Sequence, residues 1–568
     1  MKLKYSSLIL VAVVLIISLL LCLIGMQLFS IDSRNEDANS LSDIDKGNTE
    51  SYDPFGKFDP PVDISIVVKE ATNTIYEYAE GVNYRNNLWT WYCRDKLGIN
   101  VKVLWGVEKE QAEQKMNLTI ASGEIPDIMC VNDTQFMQLL KADMIMPLDD
   151  VIDKYASDEV KLSLQNEKAK VATDICRVDG KLMAIPYSIC VYDSAALWYI
   201  RKDWLDNLNL PIPQSMDDLL DVIRAFDTQD PDGDGEDDTY GIALTRDIFD
   251  VGTGGCNVIS FFNGFNAYPG IWLKNPDGQI VYGSIQPEVK TALKVLQELY
   301  NEGSILGDFV SYDKSKIAED VIANKVGIFN SNLWAPVWPL QDAMLENDQA
   351  EWVVVPAVSI EGGLAMNQVN KLDLIGYNVV SKRCKNPEAF VRMLNLLYDI
   401  LYCTQEGKYS EILLQGDENC WNHHWAGLYY YEAGGDNWEY ETMMNAFNNG
   451  NLNEVPIFNK DRVRYAWKYL NEKDDSKWLY YTIFADPNGS YGNIRNLINS
   501  DKFIYNEFYG MKTPTMIEKL DALLKMEEET FIKIIMGAPI ETFDKFVSDW
   551  KSMGGNDITR EVNEKFNK

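Results

Sequence analysis

Acidic residues recur at short, regular spacing between Asp230 and Asp238, in the run Asp-Pro-Asp-Gly-Asp-Gly-Glu-Asp-Asp. Oxygen ligands at positions 1, 3, 5 and 9, with glycine at position 6, match the first part of an EF-hand-type calcium loop. A hard cation such as Ca²⁺ needs six or more oxygen ligands at about 2.3–2.6 Å, and alternating aspartates on a tight loop supply them. The spacing therefore predicts a calcium site.

The end of this loop departs from the EF-hand pattern. Position 12 is Gly241, where an EF-hand has a bidentate Glu, and no long helix pair is predicted on either side. We therefore interpret the run as an isolated structural calcium loop inside a larger domain. The alternative is an acidic turn without metal, which repulsion among its carboxylates would make costly.

The N-terminus predicts a membrane segment. Two lysines precede a nearly uninterrupted apolar run from Leu8 to Phe29, which is about long enough to span a bilayer. The positive residues before it predict that the rest of the chain lies outside the cytoplasm. We assign residues 1–29 to a signal or anchor segment and favour an uncleaved anchor or an atypical lipoprotein over free secretion. Cys22 is the candidate for lipidation, although the leucines before it lack the small residue that such a site prefers.

Residues 30–61 are polar, acidic and rich in Ser, Asn, Asp and Gly. This composition buries too little apolar area to offset the entropy of ordering, so we predict a disordered tether. The remaining chain, roughly 500 residues by length, is long enough for two or more lobes. Its hydrophobic content, 46% of the whole sequence, is ample for a large core.

The charge balance excludes some classes of partner. The formal net charge is −34, from 52 basic and 86 acidic residues. Such a chain is repelled by nucleic acid and by an anionic membrane surface, so neither is expected as a partner. A highly anionic ligand is also less expected, unless a local basic patch overrides the net charge.

Strands and helices alternate after the tether. Residues 62–68, 101–105 and 126–131 have strand character, and helical segments are predicted between them over 87–97 and 108–122. This order predicts a parallel α/β sheet with right-handed crossovers. Since ligands of such sheets bind at the carboxyl ends of the strands, Asn132 is a candidate binding residue.

Several blocks in a fixed order resemble a known family over about 500 residues. They are residues 123–130, 139–149, 179–187, 197–205, 282–288, 326–334 and 534–540. These blocks resemble bacterial extracellular solute-binding proteins of the sugar-transporter type (family 1). The resemblance is greater to the branch of LplA-like lipoproteins and alginate-oligosaccharide binding proteins, which also has the Asp-rich loop.

The resemblance implies a two-lobed α/β fold of the periplasmic-binding-protein type (type II), with a hinge and a central cleft. Three crossing segments are implied near residues 184–186, just before 329–330 and near 376–377. Lobe 1 is then residues 62–185 plus 330–377, and lobe 2 is residues 186–329 plus 378–568. The family's calcium site implies a structural Ca²⁺ in lobe 2, held by the side chains of Asp230, Asp232, Asp234 and Asp238 and by the Glu236 carbonyl.

The implied cleft needs groups that recognise sugars. Sugars present apolar C–H faces that stack on aromatic rings, and hydroxyls that need fixed polar partners. Besides Asn132, the candidate ligand-binding residues are Trp334, Tyr187, Trp198, Asp193, Trp272, Trp89, Trp338 and Tyr377. Trp334 aligns with a cleft tryptophan of the family, whereas core packing is the alternative for each of the others. Tyr429, Tyr430 and Tyr431, which follow the only histidines (His423 and His424), belong either to a cleft rim or to a surface loop.

Three functions are compatible with these features. The first is the extracellular substrate-binding subunit of an ABC importer, a monomer that delivers an oligosaccharide to a membrane permease. The second is a membrane-anchored carbohydrate-active enzyme, a lyase or hydrolase. The third is a surface sugar sensor. We favour the first and expect no enzymatic activity, because no pair of carboxylates stands out as catalytic.

Overall fold

The first helix begins and ends at the residues that the sequence predicts. The Asn87 side chain accepts a hydrogen bond from the Thr90 backbone N–H at 3.0 Å, and the Thr90 hydroxyl accepts one from Asn87 N–H in return. This reciprocal cap satisfies two of the free N–H groups at the start of a helix. Gly98 ends the helix with φ of 66°, a left-handed conformation that favours glycine.

The computed structural model describes residues 52–69, 81–405, 408–409, 426–431 and 435–566. The predicted anchor 1–29 with Cys22, the tether up to residue 51, and His423 and His424 lie outside these ranges. Within the described ranges, no helix has the length and apolar content that a membrane crossing needs.

The strands are short and are spread over the whole described chain. In chain order, β1 to β14 are Val62–Val68, Ile99–Gly106, Ile128–Val131, Arg177–Val178, Lys181–Leu182, Ile185–Ile189, Leu197–Arg201, Trp272–Lys274, Ile280–Tyr282, Ile328–Ser331, Trp352–Val355, Asn367–Asn370, Asp373–Val380 and Phe503–Asn506.

Helices make up most of the remaining regular structure. In chain order, α1 to α20 are Leu88–Leu97, Lys109–Ser122, Asp133–Lys141, Asp149–Tyr155, Asp158–Gln165, Glu167–Ile175, Lys202–Asn207, Met216–Thr228, Ile259–Gly264, Pro287–Glu302, Lys314–Ile322, Gln341–Glu346, Glu388–Tyr402, Gly435–Asn449, Ile457–Glu472, Trp478–Phe484, Ser490–Asn499, Pro514–Ile535, Thr542–Trp550 and Asn556–Phe566.

The sheet that contains β3 differs from the prediction. β1 and β2 pair in parallel as predicted. β3, however, pairs antiparallel with β13, which also pairs antiparallel with β6. The Asp127 carboxylate links β3 to β1 instead, because it accepts hydrogen bonds from the backbone N–H and the hydroxyl of Ser65 at 2.8 and 2.5 Å. The missed partner, β13, lies more than 240 residues downstream, which local periodicity cannot reveal.

Strand β7 is buried on both faces. It lies between β10 and β11 and pairs antiparallel with each. Successive strand residues point to opposite faces, so Trp198 and Ile200 enter one hydrophobic core whereas Leu197 and Tyr199 enter another. Both cores belong to the second lobe, and the sheet β10-β7-β11 separates them.

The hydrophobic cores divide the chain at different residues from those that we predicted. The first-lobe core contains apolar residues from Ile64 to Ile185 and again from Tyr377 to Tyr430. The predicted lobe-1 segment 330–377 mostly packs elsewhere, since Leu333, Ala335 and Val369 belong to a second-lobe core. The segment 378–430, predicted in lobe 2, packs in the first lobe. The reason is that β10 pairs with β7 inside the second lobe, so the chain does not cross near residue 330.

Three segments connect the two lobes in this arrangement, and we call them the crossing segments. The first is residues 190–196, between Ile185 of the first-lobe core and Leu197 of a second-lobe core. The second is residues 370–373, between β12 and β13. The third is residues 431–439, between Tyr430 of the first-lobe core and Tyr440 of a second-lobe core.

The end of the predicted tether is packed onto the first lobe. The carbonyl of Pro54 accepts a hydrogen bond from the Asn395 side chain at 3.0 Å, and Phe58 N–H donates one to the Leu97 carbonyl at 2.8 Å. The Arg392 guanidinium lies 4.1 Å from the centroid of the Phe58 ring. The tether prediction is therefore wrong for residues 54–61, where one aromatic residue and backbone hydrogen bonds outweigh the polar composition.

A buried carboxyl group lies in the second lobe, far from the crossing segments in sequence. Glu527 on α18 is only 2% exposed, and its oxygens accept hydrogen bonds from Tyr282 Oη at 2.9 Å and Ser284 Oγ at 2.6 Å. Burial raises the pKa of Glu527 from 4.5 to about 7, although the two hydroxyls lower it in part.

We expect the pKa of Glu527 to make the free energy of unfolding fall as the pH rises from about 4.5 to about 7. In this window the native state keeps the proton that the unfolded chain has released. The Glu527→Gln variant removes the titration, so its stability should be flat across the window and exceed that of the wild type at pH 8, by on the order of 1–3 kcal/mol. Urea unfolding at pH 5 and pH 8 measures both values. Equal pH slopes for the two proteins would contradict the assignment.

Candidate functional site

The acidic loop follows helix α8 and folds around its own carboxylates. The two oxygens of Asp230 accept hydrogen bonds from the backbone N–H groups of Gly233 and Gly235, each at 3.1 Å. Asp234 accepts one from Glu236 N–H at 2.8 Å. Asp230, Gly233 and Gly235 have φ values of 46°, 73° and 86°, which is why the tight turn needs glycines. The backbone therefore turns the carboxylates inward.

Three aspartates of this loop form a group that fits a cation. Oxygens of Asp230, Asp232 and Asp234 all lie within 4.8 Å of one another. Asp232 Oδ1 is buried and has no donor among the described residues, while its Oδ2 accepts from Asn324 Nδ2 at 2.7 Å. Burial and the charge of Asp234 raise the pKa of Asp232. A bound cation would satisfy the free oxygen and remove the repulsion, so the residues present fit Ca²⁺.

The other two predicted ligands are placed less closely. Asp238 lies outside the group of three aspartates and forms an ion pair with Lys325 at 3.3 Å. The side chain of Glu236 is exposed, in agreement with a role predicted only for its carbonyl.

A second cluster lies where the crossing segments meet. Asp193, in the first crossing segment, accepts a hydrogen bond from the Trp334 side chain. Burial raises the pKa of Asp193 to about 7, and the negative charges of Asp373 and Glu439 raise it further, whereas Trp334 and Arg462 lower it. Residues from all three crossing segments therefore act on one carboxylate.

The second crossing segment contributes Asp373. Asn370 Nδ2 donates a hydrogen bond to Asp373 Oδ1 at 2.6 Å, and Asn506 Nδ2 in turn donates to Asn370 Oδ1 at 3.0 Å. Burial raises the pKa of Asp373 to about 6. Each aspartate also has one buried oxygen, Asp193 Oδ1 and Asp373 Oδ2, without a hydrogen-bond donor among the described residues.

Tyrosine rings line the first-lobe side of this cluster. The Tyr187 ring stacks on Tyr429 at a centroid distance of 5.1 Å and on Tyr431 at 6.1 Å. The Lys69 ammonium lies 5.2 Å from the centroid of the Tyr429 ring. The negative charge of Asp193 acts on Tyr431, which joins the tyrosines to the carboxylates. We call Tyr187, Asp193, Trp334, Asp373, Tyr429, Tyr431, Glu439 and Arg462 the crossing cluster.

On the second-lobe side, Trp334 is half-buried and meets other aromatic rings edge-on. Its centroid lies 5.9 Å from that of Phe484 and 6.3 Å from that of Tyr491. The Arg462 guanidinium lies 4.8 Å from the centroid of the Phe484 ring. The structure thus brings three predicted ligand-binding residues, Tyr187, Asp193 and Trp334, into one cluster.

Four other predicted ligand-binding residues are core residues. Trp198 is 0% exposed, Tyr377 2%, and Trp272 and Trp89 4% each. Tyr377 stacks on Phe136 at 4.5 Å in the first-lobe core, and Trp272 packs against Tyr282 and Trp550 in the second lobe. The assignment of these four to the cleft is not supported by their packing, because the strand and helix faces that carry them point into the cores.

The last two predicted ligand-binding residues are placed elsewhere. Trp338 is half-buried, and its ring packs so closely on Gly254 that a Cβ there would lie 2.1 Å from it. Asn132 lies at the end of β3 as expected, but its side chain caps α3 by accepting a hydrogen bond from Gln135 N–H at 2.9 Å. The described contacts of both residues are local.

Four members of the crossing cluster were missing from the predicted site or left open. Asp373, Glu439 and Arg462 carry no signal in the sequence, because their neighbours in the cluster are distant along the chain. The run Tyr429-Tyr-Tyr431 was a usable signal, since its first and third residues stack on Tyr187 while Tyr430 packs in the first-lobe core.

Comparison with known sequences identifies relatives of the whole region. A family model described as bacterial extracellular solute-binding protein matches residues 70–399. Lipoprotein LipO of Bacillus subtilis (strain 168) is 29% identical over 269 residues, which are 47% of this chain and 50% of LipO. The polygalacturonan/rhamnogalacturonan-binding protein YtcQ of the same strain is 24% identical over 461 residues, 80% of this chain and 83% of YtcQ. The fructooligosaccharide ABC transporter substrate-binding protein FusA of Streptococcus pneumoniae is 25% identical over 241 residues, 40% of this chain and 44% of FusA.

Comparison with solved structures supports the two-lobed fold. The alginate-binding protein AlgQ2, solved without calcium ion, has a TM-score of 0.59 at 15% identity and covers 90% of this chain and 99% of its own. FusA of S. pneumoniae in complex with kestose has a TM-score of 0.58 at 17% identity, with coverage of 89% and 99%. The chain therefore has the fold of these two-lobed solute-binding proteins.

Proposed function

Because the chain belongs to the family of bacterial extracellular solute-binding proteins, we propose that it captures an oligosaccharide between its two lobes and delivers it to an ABC permease. In this proposal the lobes are residues 54–189 plus 373–431, and residues 191–370 plus 435–566. The crossing cluster between them is the binding site.

The chemistry of the crossing cluster carries this proposal. Stacked tyrosines and a half-buried tryptophan stand beside carboxylates that lack hydrogen-bond donors among the described residues. Aromatic faces bind the apolar C–H faces of sugar rings, and carboxylate oxygens accept hydrogen bonds from sugar hydroxyls. Few other solutes present both features on one ring.

The names of relatives support the same class of solute. FusA is named for fructooligosaccharides and YtcQ for polygalacturonan and rhamnogalacturonan, and both match this chain in sequence. Since each is only about a quarter identical to this chain, we take from them the class of ligand and not its identity.

The chain is a binding protein and not an enzyme. Its family binds solutes, and the relatives YtcQ and FusA are binding proteins. In our proposal the carboxylates of the crossing cluster accept hydrogen bonds from the ligand and do not hydrolyse it. The alternative of an anchored lyase or hydrolase is not pursued further.

Closure of the lobes would couple capture to transport. A ligand that contacts residues of all three crossing segments stabilises the arrangement in which these segments are close together. Hinge closure buries the ligand and changes the surface that the protein presents to a permease. We propose that a monomer does this at the outer face of the membrane, held by residues 1–29, with Cys22 as the candidate lipid attachment site.

We also propose that the acidic loop holds a structural Ca²⁺. The side chains of Asp230, Asp232 and Asp234 and the carbonyl of Glu236 would hold the ion, and Asp238 would join them after release from Lys325. Ca²⁺ would neutralise the loop and fix its turn after α8. The loop is part of the second lobe, and none of its described contacts is with the crossing cluster.

Thermal melting of the purified protein against a panel of neutral and acidic oligosaccharides tests the proposed function. A ligand at a hundred times its dissociation constant should add about 2.7 kcal/mol to the free energy of unfolding, which raises the melting temperature visibly. Chromatography of the same mixtures should find the sugar unchanged. The absence of a shift with every sugar would point to another class of solute, and product formation would mean an enzyme.

A further inference from the structure

The two aspartates of the crossing cluster have the same unmet requirement. Each uses one oxygen inside the protein: Asp193 binds the Trp334 side chain, and Asp373 accepts a hydrogen bond from Asn370. The other oxygen of each, Asp193 Oδ1 and Asp373 Oδ2, is buried without a donor among the described residues. Buried acceptors without donors are unfavourable, so a ligand that supplies donors to both is strongly favoured.

The surrounding charges also limit which ligands fit. The negative charges of Asp373 and Glu439 both act on Asp193, and Arg462 is the cation that acts on it. Lys69 lies at the tyrosine side, over the Tyr429 ring. Around the two free oxygens the carboxylates therefore outnumber the cations. A carboxylate on the ligand has no proton to donate near neutral pH and would be repelled there, whereas a hydroxyl is a donor without charge.

We propose that Asp193 and Asp373 determine ligand specificity, and that the sugar ring held at the crossing cluster is neutral and not a uronate. This inference rests on the proposed function, since it assumes that an oligosaccharide binds there. Each free carboxylate oxygen accepts a hydrogen bond from a ring hydroxyl. Because Asp193 belongs to the first crossing segment and Asp373 to the second, one ring that reaches both aspartates connects the two segments.

Calorimetric titration of the protein with matched pairs of probes tests this proposal. One pair is trigalacturonate and its carboxyl-reduced trisaccharide, which differ only at C6. Further pairs are cellotriose and maltotriose, each with its C6-oxidised form. We expect a neutral probe to bind at least tenfold more tightly than its acidic counterpart. Tighter binding of the acidic member would overturn the proposal while leaving oligosaccharide binding intact. If none of the probes binds, the proposed function and this inference fail together.

Substitution of the aspartates tests their role directly. In the Asp193→Asn and Asp373→Asn variants, the neutral probe should bind about tenfold more weakly and the preference over its acidic counterpart should narrow. Asp277→Asn, in the exposed turn between β8 and β9, makes the same chemical change outside the cluster and should leave both affinities unchanged. Melting temperatures identify variants that do not fold, and either aspartate alone is sufficient for the test. Folded variants of both aspartates with wild-type affinities for both probes would overturn the assignment.

Discussion

Replacement of Trp334 by alanine should weaken oligosaccharide binding by at least tenfold, and by up to about a hundredfold. The indole supplies a half-buried aromatic surface at the crossing cluster, and its N–H orients the Asp193 carboxylate. Its loss removes both the stacking surface and this hydrogen bond. A tenfold change in affinity corresponds to about 1.4 kcal/mol, well within the contribution of one aromatic side chain that contacts a ligand. Calorimetric titration of the two proteins with the best sugar of the panel measures the ratio.

Trp467→Ala is the matched control for this experiment. Trp467 is also half-buried; its indole N–H donates to the Phe447 carbonyl at 3.1 Å, and its ring stacks on Phe447 at 6.4 Å. It belongs to a second-lobe core but to none of the crossing segments. We expect this variant to lose stability and to keep its affinity. Unchanged affinity in a folded Trp334→Ala variant would remove Trp334 from the site.

Chelation of calcium should lower the melting temperature without abolishing sugar binding when excess ligand is present. An ion at a hundred to a thousand times its dissociation constant adds about 2.7–4.1 kcal/mol to the free energy of unfolding. The ion would do so by giving Asp232 Oδ1 the partner that it lacks and by neutralising three adjacent carboxylates. Differential scanning calorimetry with calcium, with chelator and after calcium is restored measures the effect.

Two substitutions in the same loop separate a calcium site from an acidic turn. Asp232→Asn should abolish the stabilisation by calcium and make the melting temperature insensitive to chelator. Asp237→Asn removes the same charge from an exposed neighbour that is not part of the group of three aspartates, and it should keep the response. If wild-type protein melts at the same temperature with calcium and with chelator, the loop is an acidic turn without metal.

Local sequence was sufficient where local interactions determine the structure. Asn87 and Gly98 bound helix α1 because capping depends on neighbouring residues. The three aspartates at spacing two come together because the turn between them is short. Helices α8, α10 and α13 fall where apolar periodicity predicts them, for the same reason.

The site could be predicted only in part, because the crossing cluster is assembled from distant segments. Tyr187, Asp193 and Trp334 were found through their position near implied crossings. Asp373 was missed, because its role depends on Asn370 and on the meeting of segments 180 residues apart. Trp198 was misplaced, because a tryptophan on a strand buried on both faces has the same sequence appearance as one in a cleft. The lobe boundaries failed similarly, since the partner of β10 cannot be read from β10 itself.

Hydrogen–deuterium exchange with and without the best-binding sugar tests the central claim most directly. If the oligosaccharide binds between the lobes, protection should appear in peptides that cover residues 187–196, 370–378 and 429–440, and peptides from β8 and β9 should be unchanged. Protection confined to β8, β9 or another single-lobe surface, with none at the crossing segments, would contradict the account.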